Sequence, residues 1–84
     1  MRRLVFYTRE GCCLCQAALE VVERVRARHP EAFRLELRDI DQDDALLRRY
    51  LERIPVVEID GAEAFELFVD ESELAQRLGI VGAR

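Results

Sequence analysis

The 84-residue chain is half apolar and 36% charged, and its 17 acids against 13 bases leave a formal charge of −4. That length allows one domain with one core over residues 1–84 and excludes a second active domain. Without a basic patch or a long apolar run, neither nucleic-acid binding nor a membrane span is expected.

Met1-Arg2-Arg3 imitates the charged start of a signal peptide, but the apolar stretch after it stops at Thr8-Arg9-Glu10, too early for one. Leu4 to Thr8 instead reads as a short buried strand, broken by Glu10-Gly11. From Cys13 to about Arg28 the apolar positions Cys15, Ala18, Leu19, Val22 and Val25 recur every three or four residues, which predicts an amphipathic helix. His29-Pro30 ends it, with His29 at its C-terminal cap. Phe33, Leu35 and Leu37 then alternate with Arg34, Glu36 and Arg38, as in a strand with one wetter face. The acidic stretch Asp39 to Asp44 caps a second helix, whose apolar stripe is Leu46, Leu47, Tyr50 and Leu51. Pro55 opens a third strand, Val56 to Ile59, and Asp60-Gly61 is a hairpin turn into a fourth, Ala64 to Val69. Asp70-Glu71-Ser72 starts a last helix carrying Leu74, Ala75 and Leu78, and Gly79 stops it. The order βαβαββα predicts an α/β domain with a four-stranded mixed sheet and helices on both faces. Its first βαβ unit is a parallel pair with a right-handed crossover.

All three cysteines lie in Cys12-Cys13-Leu14-Cys15, where the first strand hands over to the first helix. Cys12 and Cys15 form a C-x-x-C pair, and the spacing lets two thiols meet across one helical turn. The N–H groups and positive end of the helix favour a thiolate at Cys12. Cys15, one turn further in, suits a buried and protonated resolving thiol, or else a packed core cysteine. Cys13 reads as a solvent-facing spacer or as a second nucleophile. A Cys12–Cys13 bridge would close a strained eight-membered ring. A competing reading takes Cys12, Cys13 and Cys15 as ligands of a zinc ion or an iron–sulfur cluster. The one histidine, His29, lies at the far end of the helix, so a fourth ligand would have to come from elsewhere. Ile54-Pro55 is either a trans proline at the start of an edge strand or a cis proline facing the thiols. The cis form would leave the Ile54 backbone free to pair with an extended substrate.

With strand, C-x-x-C, helix and Ile-Pro in this order, the chain resembles the glutaredoxin-like branch of the thioredoxin superfamily. Tyr7-Thr8-Arg9-Glu10-Gly11-Cys12-Cys13-Leu14-Cys15 is similar to the glutaredoxin opening that ends in C-P-Y-C, and most similar to small bacterial glutaredoxin-like proteins with C-x-L-C. Ile54-Pro55-Val56-Val57-Glu58-Ile59-Asp60-Gly61 is similar to the family segment T-V-P-x-V-F-I-x-G. The resemblance implies a thioredoxin fold and dithiol–disulfide exchange, with Cys12 as attacker, Cys15 as resolver and Pro55 in cis. It implies no bound cofactor and glutathione as one candidate reductant, with Arg9 and Asp70 holding its carboxylate and amine.

Three departures bear on glutathione. Cys13-Leu14 replaces Pro-Tyr, Phe68-Val69 stands where the family carries two glycines before its last helix, and Arg53 replaces threonine before Ile54-Pro55. Bulk at Phe68-Val69 would crowd a backbone approach by glutathione. Phe6 also stands where thioredoxins carry a buried Asp, so the resolving thiol must lose its proton to solvent or substrate. The expectation is a monomeric cytoplasmic thiol–disulfide oxidoreductase acting on protein or small-molecule disulfides. Its donor would be glutathione or a thioredoxin-reductase-type system. A metal carrier and a non-catalytic binding module are the alternatives.

Overall fold

Strand β1 (Arg2–Thr8) runs through the interior of the sheet in the computed structural model, which describes residues 1–80. It starts two residues before Leu4 because Arg2 and Arg3 extend the parallel ladder to Phe33 and Arg34 of β2 (Phe33–Asp39). Asp60 fastens this end, accepting from the Arg3 N–H at 3.0 Å and pairing with the Arg2 guanidinium at 3.1 Å. Helix α1 (Cys13–Arg28) makes the crossover and buries Cys15, Ala18, Val22 and Val25, the stripe its periodicity marks. His29 is its C-cap, and the His29 N–H donates to the Val25 carbonyl at 2.9 Å.

The sheet order is β2-β1-β3-β4, with β3 (Val56–Ile59) antiparallel to both β1 and β4 (Ala62–Glu66). Asp60 and Gly61 have φ of 52° and 87°, the paired left-handed conformations of a type I′ turn. This tight turn sets Ala62 directly opposite Ile59, so the fourth strand begins before the expected Ala64. It also ends earlier than the expected Val69, because Leu67 turns into the left-handed region and leaves the ladder. A bulge at Val57/Glu58 absorbs one extra residue of β4.

Leu4, Phe6, Val57 and Ile59 share one face of the sheet, and α1 and α3 (Glu71–Arg77) cover it and touch each other. Val5, Tyr7, Val56 and Glu58 share the other, where α2 (Asp44–Tyr50) lays the Tyr50 ring 4.7 Å from that of Tyr7. Asp43 caps α2 by accepting from the N–H groups of Ala45 and Leu46, and Asp70 caps α3 by accepting from that of Glu73. A 3₁₀ turn, Ile40–Gln42, precedes α2 and buries Ile40 completely. Three residues have no period to read, so the sequence does not announce it. Leu51, expected on the apolar stripe, is instead the C-cap of α2 and 43% exposed.

Glu58, the one charge in Val56–Ile59, accepts a hydrogen bond from each tyrosine hydroxyl of the chain, Tyr7 and Tyr50, both at 3.1 Å. Burial first, then the bond to the Glu58 carboxylate, pushes the Tyr50 hydroxyl up to about 12; burial, then Glu58, raises Tyr7 as well. In the unfolded chain both titrate near 10. Between these values the folded chain holds protons that the unfolded chain releases, so stability is complete below about pH 10 and falls as pH rises towards about 12. Tyrosinate absorbance of the native protein is expected to rise only above pH 10 and together with alkaline unfolding. A midpoint at 10 in the folded chain contradicts the cluster.

Candidate active site

The thiols sit at the first turn of α1. Gly11, at φ 81°, completes a turn closed by the Cys12 N–H to the Arg9 carbonyl at 3.3 Å, and the chain then enters the helix. Cys12 is the N-cap in an extended conformation, and its Sγ accepts the Cys15 N–H at 3.1 Å. A residue that usually caps poorly therefore caps with its sulfur, which holds Sγ among the orphan amides of the helix end. Cys12 and Cys15 are joined as a disulfide, their Cα atoms 5.1 Å apart. Cys15 is 3% exposed and Cys12 only partly buried, so Cys12 is the sulfur a second molecule reaches. Cys13 is a free, exposed cysteine. Residues three apart share a helix face and adjacent residues do not, which leaves Cys13 out of the pair.

A cleft of ≈ 520 Å³ opens beside Cys12 and brings Arg9 and Ile54 together with it. Pro55 is buried, and the Ile54–Pro55 bond is cis. Asp70 does not line the cleft; its carboxylate accepts the Glu73 N–H at 2.9 Å as the cap of α3. The Ile54 backbone is not wholly free. Its N–H donates to the Tyr50 carbonyl at 3.0 Å, because the last turn of α2 runs on into the proline loop. Only its carbonyl has no partner in the backbone bonds outside the ladders among the described residues. Arg9 pairs with Asp41 at 3.0 Å, so its charge is matched from within the chain. Arg53 points away to β4, pairing with Glu63 and, at 2.8 Å, with Glu66, while its guanidinium lies 5.3 Å from the Tyr50 ring centroid.

Sequence reasoning missed Leu14, Leu51, Glu52 and Leu67, which also line the cleft. Their exposure depends on where the loops close, and no local pattern encodes it. Glu58 did leave a signal, a lone acid inside an apolar strand, which pointed to a buried partner.

The glutaredoxin-like domain model (DUF836) matches residues 3–79. The chain belongs to this glutaredoxin-like family. A glutaredoxin-like protein of Dictyostelium discoideum is 32% identical over 73 residues, covering 82% of this chain and 68% of its own. The NMR structure of protein Ne2328 from Nitrosomonas europaea superposes with a TM-score of 0.75 at 31% identity, over 90% of this chain and 89% of that one. An X-ray structure of an X. campestris protein gives 0.73 at 31%, over 90% and 95%. A thioredoxin from Halobacterium salinarum, 23% identical with a TM-score of 0.67 over 92% and 71%, shares the fold. The glutaredoxin-like family and its thioredoxin fold support a redox function in general terms. Among the described residues no three His, Cys, Asp or Glu side chains are grouped to hold a metal ion.

Proposed function

We propose that this glutaredoxin-like chain is a thiol–disulfide oxidoreductase that cycles Cys12 and Cys15 between dithiol and disulfide. The observation that carries the reading is the Cys12–Cys15 bridge at the N-terminus of α1, with one sulfur accessible beside a cleft and the other buried. In the reduced chain the Cys12 thiolate attacks one sulfur of a substrate disulfide. The substrate S–S bond breaks, a mixed disulfide forms, and the first substrate thiol leaves with a proton from solvent. Cys15 then gives its proton to solvent or to the departing thiolate and attacks Cys12 Sγ. That closes the Cys12–Cys15 bond and releases the second thiol. Two electrons pass from the chain to the substrate.

Phe6, wholly buried, offers no base for the Cys15 proton, which is why solvent or substrate takes it. Two thiols of a donor return the electrons, either glutathione or a thioredoxin-reductase-type system in the cytoplasm. Arg9 and the Ile54 carbonyl border the substrate in this reading, whereas Asp70, the cap of α3, lies outside the cleft lining and is not assigned an amine there.

Turnover of 2-hydroxyethyl disulfide, followed in parallel with glutathione and with a thioredoxin-reductase system, tests it. At least one donor is expected to sustain turnover. Pre-reduced protein that neither oxidises in this disulfide nor turns over with either donor overturns it. In that case thiol alkylation against pH is expected to give Cys12 the ordinary cysteine midpoint near 8.5, as in a binding module.

A further inference from the structure

The substrate class can be narrowed from the walls of the same cleft, in an inference that rests on the exchange reading above. Of its charged lining residues, Arg9 and Asp41 neutralise each other. Glu10 and Glu52 line the cleft too, and neither has an ion-pair partner among the described residues. The cleft therefore presents two uncompensated negative charges beside the reactive sulfur, on a chain whose formal charge is −4. Glutathione, with two carboxylates against one ammonium, meets repulsion there.

Between these charges the rim is apolar. Leu14, Leu51 and Leu67 line the cleft and are 53%, 43% and 39% exposed, an unusual cluster of large side chains left in water. Leu67 is the telling one. Its φ is 73°, a conformation that glycine adopts freely and that crowds the Cβ of a leucine. Two hydrogen bonds hold it, from its N–H to the Arg53 carbonyl at 3.1 Å and to the Pro55 carbonyl at 2.9 Å. The fold thus fixes a glycine-type backbone and spends it on a leucine side chain in the cleft wall. Strain of this kind collects where a side chain has a task.

We propose that this cleft takes disulfides borne on cationic, apolar polypeptide segments and disfavours glutathione, with Leu67 as a specificity-determining residue. Apolar side chains flanking the substrate cysteine lie on Leu14, Leu51 and Leu67, and Lys or Arg beyond them meet Glu10 and Glu52. The exchange chemistry is unchanged.

The test uses the pre-reduced full chain and three symmetrical peptide disulfides with one Leu-Cys-Leu core, flanked by Lys, Ser or Glu. Oxidised glutathione and neutral 2-hydroxyethyl disulfide complete the series, and every rate is divided by that of free 2-mercaptoethanol with the same disulfide. The Lys peptide is expected to react on the order of tenfold faster than the Glu peptide at low salt, since exposed charges act weakly and in sum. The ratio shrinks at molar salt and in a Glu10→Gln/Glu52→Gln chain. Leu67→Gly is expected to keep the fold, raise the rate with oxidised glutathione several-fold and slow the Ser peptide. If 2-hydroxyethyl disulfide reacts but the Glu peptide or oxidised glutathione matches the Lys peptide, this inference is overturned and the exchange reading stands. If no disulfide of the series reacts, both fall.

Discussion

A Cys12→Ser chain is expected to lose exchange with small disulfides, on the order of a thousandfold or more below the native rate, because an unactivated serine hydroxyl stays protonated at neutral pH and cannot replace the thiolate that attacks sulfur. Cys15→Ser has a different signature. It keeps the attacking sulfur at the helix end, where the residue-15 N–H still donates to Cys12 Sγ, but lacks the thiol that resolves the mixed disulfide. Mass spectrometry of that variant after one equivalent of disulfide is expected to show the substrate thiol retained on the chain. Cys13→Ser is expected to keep most of the native rate, since Cys13 is exposed and outside the bridge. Full activity in Cys12→Ser, or loss in Cys13→Ser alone, reverses the assignment of the sulfurs. Cys12 and Cys13 lie at a helix end on or near the surface, whereas Cys15 is buried. Thermal melts of the reduced proteins therefore separate chemistry from folding.

The second large effect is on stability. Tyr50 is 1% exposed, packs its ring at a tilt against that of Tyr7 and donates to Glu58. Its loss in Tyr50→Ala opens a cavity between α2 and the sheet and is expected to cost about 3–5 kcal/mol, as for other large aromatics. Domains of this size hold about 5–15 kcal/mol in all. At about 4–8 °C per kcal/mol for an 84-residue chain, Tm should fall by roughly 12–40 °C. Tyr50→Phe keeps the ring and loses one hydrogen bond, about 1 kcal/mol. A shift of the end of α2 in Tyr50→Ala reaches the cleft as well, because the Tyr50 backbone carbonyl accepts the N–H groups of Arg53 and Ile54 at 2.8 and 3.0 Å. Tyr50→Phe is accordingly expected to keep exchange near the native rate. A Tm drop as small for Tyr50→Ala as for Tyr50→Phe, read by circular dichroism, contradicts the packing described.

Helix α1, strand β3 and the hairpin turn were legible because each is written locally. Val22 and Val25 repeat at helical spacing, Val56 to Ile59 is β-branched but for Glu58, and Asp60-Gly61 has the chemistry of one turn type. The bounds of β4 were not legible. Apolar Phe68 and Val69 look like strand, yet the ladder is broken by Leu67, held left-handed by bonds to Arg53 and Pro55, more than ten residues back in the chain. Leu51 misled for the same reason. On a helical wheel it belongs to the stripe, but α2 ends beneath it and turns it towards the cleft.

What the sequence determined by itself is the C-x-x-C pair and its place. Spacing puts Cys12 and Cys15 one turn apart and leaves Cys13 aside, and the strand–helix junction supplies the amides. Tertiary structure alone decided what surrounds that pair. It matched Arg9 to Asp41, turned Asp70 into a helix cap, committed the Ile54 N–H to Tyr50, and gathered Glu10, Glu52 and Leu67 at one sulfur. In the exchange we propose, reactivity follows from neighbours along the chain, whereas selectivity depends on residues from four separate segments, whose meeting is set by how the sheet and α2 close.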